Sequence, residues 1–158
     1  MTFQRLQWLF PIALTLHNLE EAVWLPAWDQ RHAAQLPMHP PGVVEFRAAL
    51  FVLTLAAFAV TFLSARHRRQ SVAAYLTFGY IVGLLANVLI PHLPAAIYFR
   101  GYAPGVVTAV LINLPLMSLL VVRALREGWV SGIKAAAFGI GVPLAMGSAI
   151  AAWVAVHS

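Results

Sequence analysis

Apolar residues along the chain gather in five blocks, at about 6–26, 43–64, 71–91, 104–122 and 135–156, separated by short polar connections. Each block approaches the roughly 20 residues an α-helix needs to cross about 30 Å of hydrocarbon. The pattern therefore predicts an all-α, polytopic transmembrane bundle of about five spans in a single domain. Pro11 interrupts the first block, and Asn113 with Pro115 interrupts the fourth; membrane helices tolerate such kinks where neighbours satisfy the freed carbonyls. Pro104 suits the first turn of the fourth span. Small residues recur every four positions, at Gly79, Gly83 and Asn87 in the third block and at Ala135, Gly139, Pro143, Gly147, Ala151 and Ala155 in the fifth. Such stripes let helices approach closely, and the fifth span, lacking any ionisable residue, is expected to serve packing. The polar connection 27–42, with Asp29, Arg31, His32, His39 and the Pro40-Pro41 pair, has a length that suits a lid or a short surface helix.

Composition supports the membrane assignment: 61% of the 158 residues are hydrophobic and 9% are charged, with a mean hydropathy of +0.81, which is too apolar for a soluble domain of this size. The ten Lys and Arg outnumber five Asp and Glu, but they lie mostly in the connections, as topogenic charges do, and not in a patch for nucleic acid. With the N-terminus cytoplasmic, seven of them (Arg5, Arg66, Arg68, Arg69, Arg123, Arg126, Lys134) fall inside and three (Arg31, Arg47, Arg100) outside. That bias predicts a cytoplasmic N-terminus and an external C-terminus. The absence of cysteine excludes disulfides and thiolate metal sites. The N-terminal block is expected to stay as a mature helix, since it runs into His17, Glu20 and Glu21 without a small-residue cleavage site.

Those three residues, in Leu-His-Asn-Leu-Glu-Glu, break the apolar pattern most sharply. On a helix His17, Glu20, Glu21 and Trp24 lie at about 0°, 300°, 40° and 340°, all on one face. An isolated charge in hydrocarbon costs roughly 2.5 to 3.5 kcal/mol on insertion scales, so the two carboxylates require partners inside the bundle. At ~1.5 Å per residue, Glu20 and Glu21 come roughly 8 to 9 Å below the outer boundary, near the expected depth of Asn87, His92, Glu45, Arg47, Thr108 and Asn113. Groups that five helices would otherwise scatter collect in one leaflet, which predicts a single polar pocket opening to the outer face.

His17 with Glu21 or Glu20 offers two metal ligands at i, i+4 or i, i+3, and His92 a third. Two histidines and a carboxylate with open positions suit a catalytic Zn²⁺, or alternatively Fe²⁺. The remaining glutamate, here taken as Glu20, would be the general acid/base, with Arg47 and Asn87 orienting a substrate oxygen. A dinuclear carboxylate site is not expected, because only Glu20, Glu21 and Glu45 would reach. The leading expectation is a Zn-dependent hydrolase or transferase acting on a lipid-like or amphipathic molecule. Two other readings stay open: a metal-free His/Glu acid-base isomerase of a sterol-like or isoprenoid substrate, and a non-catalytic lipid binder or proton-coupled transporter. Structural roles compete at each position. The motif would serve as a buried hydrogen-bonded network neutralised by Arg47, His92 as an interfacial cap, and Asn87 as helix-packing glue. Asp29, His32, His39 and His157 read as solvated, and the tryptophans as interfacial anchors, with Trp24 as a pocket wall.

The stretch from His17 to Glu21, together with Asn87 and His92 in Asn-Val-Leu-Ile-Pro-His and the segment Tyr-Ala-Pro-Gly-Val-Val-Thr, resembles the HXXEE-domain family of small bacterial integral membrane proteins. The resemblance covers most of the chain. It implies a shared site at the carboxylate and histidine positions and a place in the bacterial inner (cytoplasmic) membrane, and it names no reaction.

Overall fold

A computed structural model describes residues 1–36 and 42–157, and among them every regular element is helical. In chain order these are α1 (Phe3–Leu6), α2 (Leu9–His32), α3 (Val43–Arg66), α4 (Val72–Asn87), α5 (Leu93–Tyr98), α6 (Val106–Thr108), α7 (Leu114–Arg126) and α8 (Gly132–His157). A short 3₁₀ turn, Ala33–Gln35, follows α2; irregular helical turns at Val88–His92 and Ala109–Asn113 join α4 to α5 and α6 to α7. Four helical stretches, Val43–Arg66, Val72–Tyr98, Val106–Arg126 and Gly132–Trp153, are long and apolar enough to cross a membrane. The expected first span exists as the 24-residue α2, but His17, Asn18, Glu20 and Glu21 leave it less apolar than the other four.

The core forms where α1, α2, α4 and α7 meet, around Phe3, Phe10, Ile81, Met117 and Leu120. The outward faces of α3 and α8 remain apolar, with Phe51, Val52, Leu55, Ile140 and Leu144 exposed as lipid-facing residues would be. Buried polar side chains pin the helices together at specific registers. Asn18 Nδ2 donates to the Leu50 carbonyl (3.1 Å) and Thr54 Oγ1 (2.8 Å); Tyr80 Oη donates to Leu53 O (2.7 Å); Ser64 Oγ donates to Gln7 Oε1 (2.8 Å). In hydrocarbon such bonds hold helices that hydrophobicity alone does not attract to one another.

The two small-residue stripes meet each other, α4 against α8. A Cβ at Gly79 would stand 2.5 Å from the Phe138 carbonyl and 2.7 Å from Val142, whereas one at Gly83 would sit 3.5 Å from Pro143. Contact therefore needs glycine at position 79, while position 83 has room.

Several elements differ from the sequence expectation, each for a local reason. The first span ends at His32 instead of near Pro26, and Pro11 falls in the first turn of α2, where its missing N–H costs no helical bond. Pro26 does lie inside the helix, and the Ala22 carbonyl it leaves without a backbone donor accepts from Arg47 Nε (3.1 Å). The third span continues beyond Pro91 as α5, after a break at Ile90, whose φ/ψ of −147°/114° are not helical. The fourth begins at Val106, behind Pro104, and runs to Arg126. The connection 27–42 is helical or 3₁₀ to Gln35; His39 and the proline pair lie outside the described residues. Trp28 and Trp129 are buried in place of anchoring at an interface.

Substituting Gly79 by Ala is expected to push α8 off α4 and cost about 1–3 kcal/mol, lowering the thermal midpoint in detergent. The matched Gly83→Ala exchange, meeting only ordinary contact distances, is expected to leave that midpoint nearly unchanged.

Candidate functional site

The site begins with a single hydroxyl proton. Thr108, at the start of the fourth membrane stretch, places Oγ1 2.6 Å from Glu20 Oε2 and 2.9 Å from His17 Nδ1. A threonine hydroxyl has one proton to give. The carboxylate cannot donate when ionised and is the nearer acceptor, so the proton goes to Glu20 and the oxygen accepts from His17 Nδ1–H. Glu20 is held ionised by three further donors: Thr108 N–H (2.9 Å), Gly105 N–H (3.0 Å) and Tyr102 Oη (2.9 Å). Burial and the neighbouring Glu20 carboxylate both push the Tyr102 hydroxyl up from its ordinary pKa, which keeps it a donor. His17 is thereby locked as the tautomer whose Nε2 is a bare acceptor.

His92 is locked in the same state by a different partner. The break at Ile90 turns the chain so that His92 Nδ1 lies 3.1 Å from the Pro104 carbonyl, an acceptor only, and so must carry its proton there. Its Nε2 is consequently bare, and it is buried without a hydrogen-bond partner. The two rings meet edge to face, with centroids 4.7 Å apart, and are 2% and 3% exposed. Gly105, at φ 87°, makes the close approach possible: a Cβ there would collide with His92 and stand 3.0 Å from His17 Cε1.

Between these two nitrogens lies Glu21. Its Oε1 is 3.8 Å from His17 Nε2 and 3.5 Å from His92 Nε2, and the three ligand atoms fall within 4.8 Å of one another. Three ligand atoms thus converge in a buried place, where a cation at the centre or a proton on the Glu21 carboxyl would satisfy them. A shared proton would draw its two partners to about 2.6–3.2 Å, closer than either distance here. Bonds of about 2.0–2.2 Å from a tetrahedral metal separate its ligands by about 3.3–3.6 Å, near the two distances to Glu21, while the two nitrogens lie within 4.8 Å of each other.

The sequence-derived candidates divide accordingly. His17, Glu21 and His92 come together. Glu20 lies beside them, but with four donors it orients His17 through Thr108 and has no idle lone pair facing the triad. Asn87 adjoins His17 without closing a well-formed bond, its Oδ1 being buried and unpartnered. Arg47 is not brought in: it braces the carbonyl freed by Pro26, and among the described residues it has no carboxylate within ion-pair distance. His32, expected to be solvated, instead packs its ring between Trp28 and Phe99. Sequence reasoning gave no role to Tyr102 or Gly105 and noticed Thr108 only for its depth. The visible signal was a Pro-Gly pair three residues before a threonine at the head of an apolar block.

Beside Glu20 and Thr108 opens a groove of about 800 Å³. Leu16, Leu19, Trp24 and Val107 form its apolar walls, Tyr102 and Arg31 its polar rim. A second recess, of about 620 Å³ between Arg5, Arg123 and Glu127, lies at the other end of α7, away from the histidines.

No solved structure matches the chain. An uncharacterized protein of Bacillus subtilis (strain 168), YrkK, is 35% identical over 112 residues, covering 71% of this chain and 70% of that protein. The family model described as "Protein of unknown function with HXXEE motif" matches residues 8–120, a range that contains His17, Glu20, Glu21, His92 and every backbone group that orients them. An integral membrane bundle built around His17-x-x-Glu20-Glu21, this chain belongs to the HXXEE family.

Proposed function

We propose that the chain is an intramembrane metalloenzyme, a Zn²⁺-dependent hydrolase or transferase acting on a lipid-like or amphipathic molecule. One observation carries the reading: two buried imidazoles, each made to donate from Nδ1, both turn a bare Nε2 toward the same carboxylate oxygen. Metal-binding histidines characteristically give their other N–H to a carbonyl or a carboxylate network, which fixes the tautomer and raises basicity. His17, Glu21 and His92 would be the ligands. Zn²⁺ held by two histidines and one carboxylate keeps an open position, polarises a bound carbonyl and lowers the pKa of water. The same donor set also suits Fe²⁺.

Within the triad, Glu21 Oε2 is the carboxylate oxygen left free to hold a proton during turnover, while Glu20, saturated by donors, serves His17. The groove supports an amphipathic substrate: its apolar lining suits a hydrocarbon chain, and Glu20, Thr108 and Arg31 add polar groups to it. A helical bundle with a bacterial relative supports the cytoplasmic membrane of a bacterium as its location.

Protein purified in detergent is expected to hold one Zn²⁺ per chain by elemental analysis, and Glu21→Gln, His17→Ala and His92→Ala to lose it while remaining helical by circular dichroism. Wild-type protein free of stoichiometric metal would falsify the reading. Thr108→Val, which removes the link between Glu20 and His17, is expected to weaken zinc binding by about 10–100-fold, read by chelator competition. Thr108→Ser keeps the hydroxyl and is expected to restore most of that affinity.

A further inference from the structure

The groove of about 800 Å³ beside Glu20 runs along one face of α2. Leu16, Leu19, Glu20, Trp24 and Arg31 all line it, and at 100° per residue these five fall within an arc of about 140°. At ~1.5 Å per residue, Leu16 to Trp24 covers about 12 Å, and Arg31 stands about 10 Å further on. One leaflet supplies about half of the roughly 30 Å of hydrocarbon, some 15 Å, with the headgroup layer beyond it. The apolar part of the groove therefore has nearly the length of one leaflet's acyl chains, and Arg31 stands at the level of their phosphates.

Within that lining the apolar side chains and the cation lack partners, while the other polar groups have theirs. Leu16, Leu19, Trp24 and Val107 are between 45% and 55% exposed. Glu20, Thr108 and Tyr102 are bonded to one another. Arg31 gives its Nε to the Ala27 carbonyl of its own helix (3.1 Å), and none of the chain's five carboxylates is within ion-pair distance of it among the described residues. The recess at the other end of α7 differs, because its Arg123 is paired with Glu127 (3.5 Å). Glu20, the acid in the groove, lies about 16 Å from Arg31 along the helix and already takes four donors.

We infer that the groove holds an anionic glycerophospholipid, with one acyl chain laid along α2 and its phosphodiester on Arg31. The guanidinium has its Nη N–H groups left to give, in a planar fork that matches two phosphate oxygens. Net charge selects the lipid. Phosphatidylglycerol supplies the negative charge that Arg31 lacks, whereas phosphatidylcholine brings its own cation and leaves the site with a surplus. A phosphate without a chain would gain nothing from the four apolar side chains. The bound chain would also cover the hydrogen bond between Thr108 and Glu20, and excluding water lowers the local dielectric and strengthens such a bond. The groove borders the orienting glutamate and not the triad, so this inference goes beyond the metalloenzyme reading and does not rest on it.

Trp24 reports on the groove directly, since bromine on an acyl chain quenches a tryptophan it touches. Full-length protein in detergent is titrated with phosphatidylglycerol and with phosphatidylcholine, each brominated on its chains, and Trp24→Phe gives the background from the other tryptophans. Saturable, Trp24-dependent quenching by phosphatidylglycerol is the expected result, with phosphatidylcholine about five- to tenfold weaker. Arg31→Gln is expected to abolish that preference, and Arg100→Gln, outside the groove lining, to preserve it. Excess glycerol phosphate, a headgroup without a chain, is expected not to displace the lipid. Equal quenching by both lipids, equal losses in the two arginine variants, or displacement by glycerol phosphate overturns the site, leaving bulk lipid contact, diffuse surface charge or a simple anion site. Should Arg31→Gln fail to fold, the two lipids compared on the wild type decide alone. Zinc content, measured on the same samples, tests the metalloenzyme reading separately.

Discussion

The hydroxyl of Thr108 has one proton, and the geometry around the site depends on where it goes. Given to Glu20, it makes the oxygen an acceptor for His17 Nδ1–H and commits the opposite ring nitrogen to face Glu21. Glu20 in turn ties the start of the fourth membrane stretch to α2 through two backbone N–H groups. One carboxylate thus both fastens two helices and sets the state of an imidazole. This explains how the bundle keeps one of the two adjacent glutamates: Glu20 is satisfied by four donors, whereas Glu21 is turned to the two imidazole nitrogens.

Three departures from ideal helix or extended loop lie around this cluster. A membrane tolerates freed carbonyls and N–H groups only where protein covers them, and these three are used. The break at Ile90 carries His92 to the Pro104 carbonyl. The left-handed Gly105 lets the loop lie against both rings. The carbonyl left by Pro26 takes Arg47. At the opposite end of the bundle, by contrast, regular helices pack through small residues and apolar side chains, and the polar contacts there fix register.

Membership in the HXXEE family gives these details a wider reach, because the matched range includes the motif, the broken segment and the turn that orients them. The motif names the histidine and the two glutamates as equals. Their surroundings separate them: one glutamate faces the imidazoles, the other positions one of them. The groove with hydrocarbon-like walls lies beside Glu20 and Thr108 and includes Arg31 in its lining, so the orienting glutamate, and not the triad itself, borders it.

Hydropathy was sufficient to read a helical membrane bundle, because spanning a bilayer imposes a length and a composition that survive any tertiary arrangement. It was also sufficient to see that His17, Glu20 and Glu21 share a face, since helical periodicity alone requires it, and that Gly79 lies on a packing stripe. The tertiary structure decided everything that depends on where protons and loops go. Nothing in the order of residues distinguishes Glu20 from Glu21; the difference arises because Gly105, Thr108 and Tyr102, more than eighty positions away, supply donors to one and not the other. Arg47 looked like a partner for the carboxylates because it shares their depth, and was drawn instead to a carbonyl that Pro26, on another helix, had left unpaired. Depth can be counted along one helix, but azimuth between helices is set by packing, and it is azimuth that determines which groups meet.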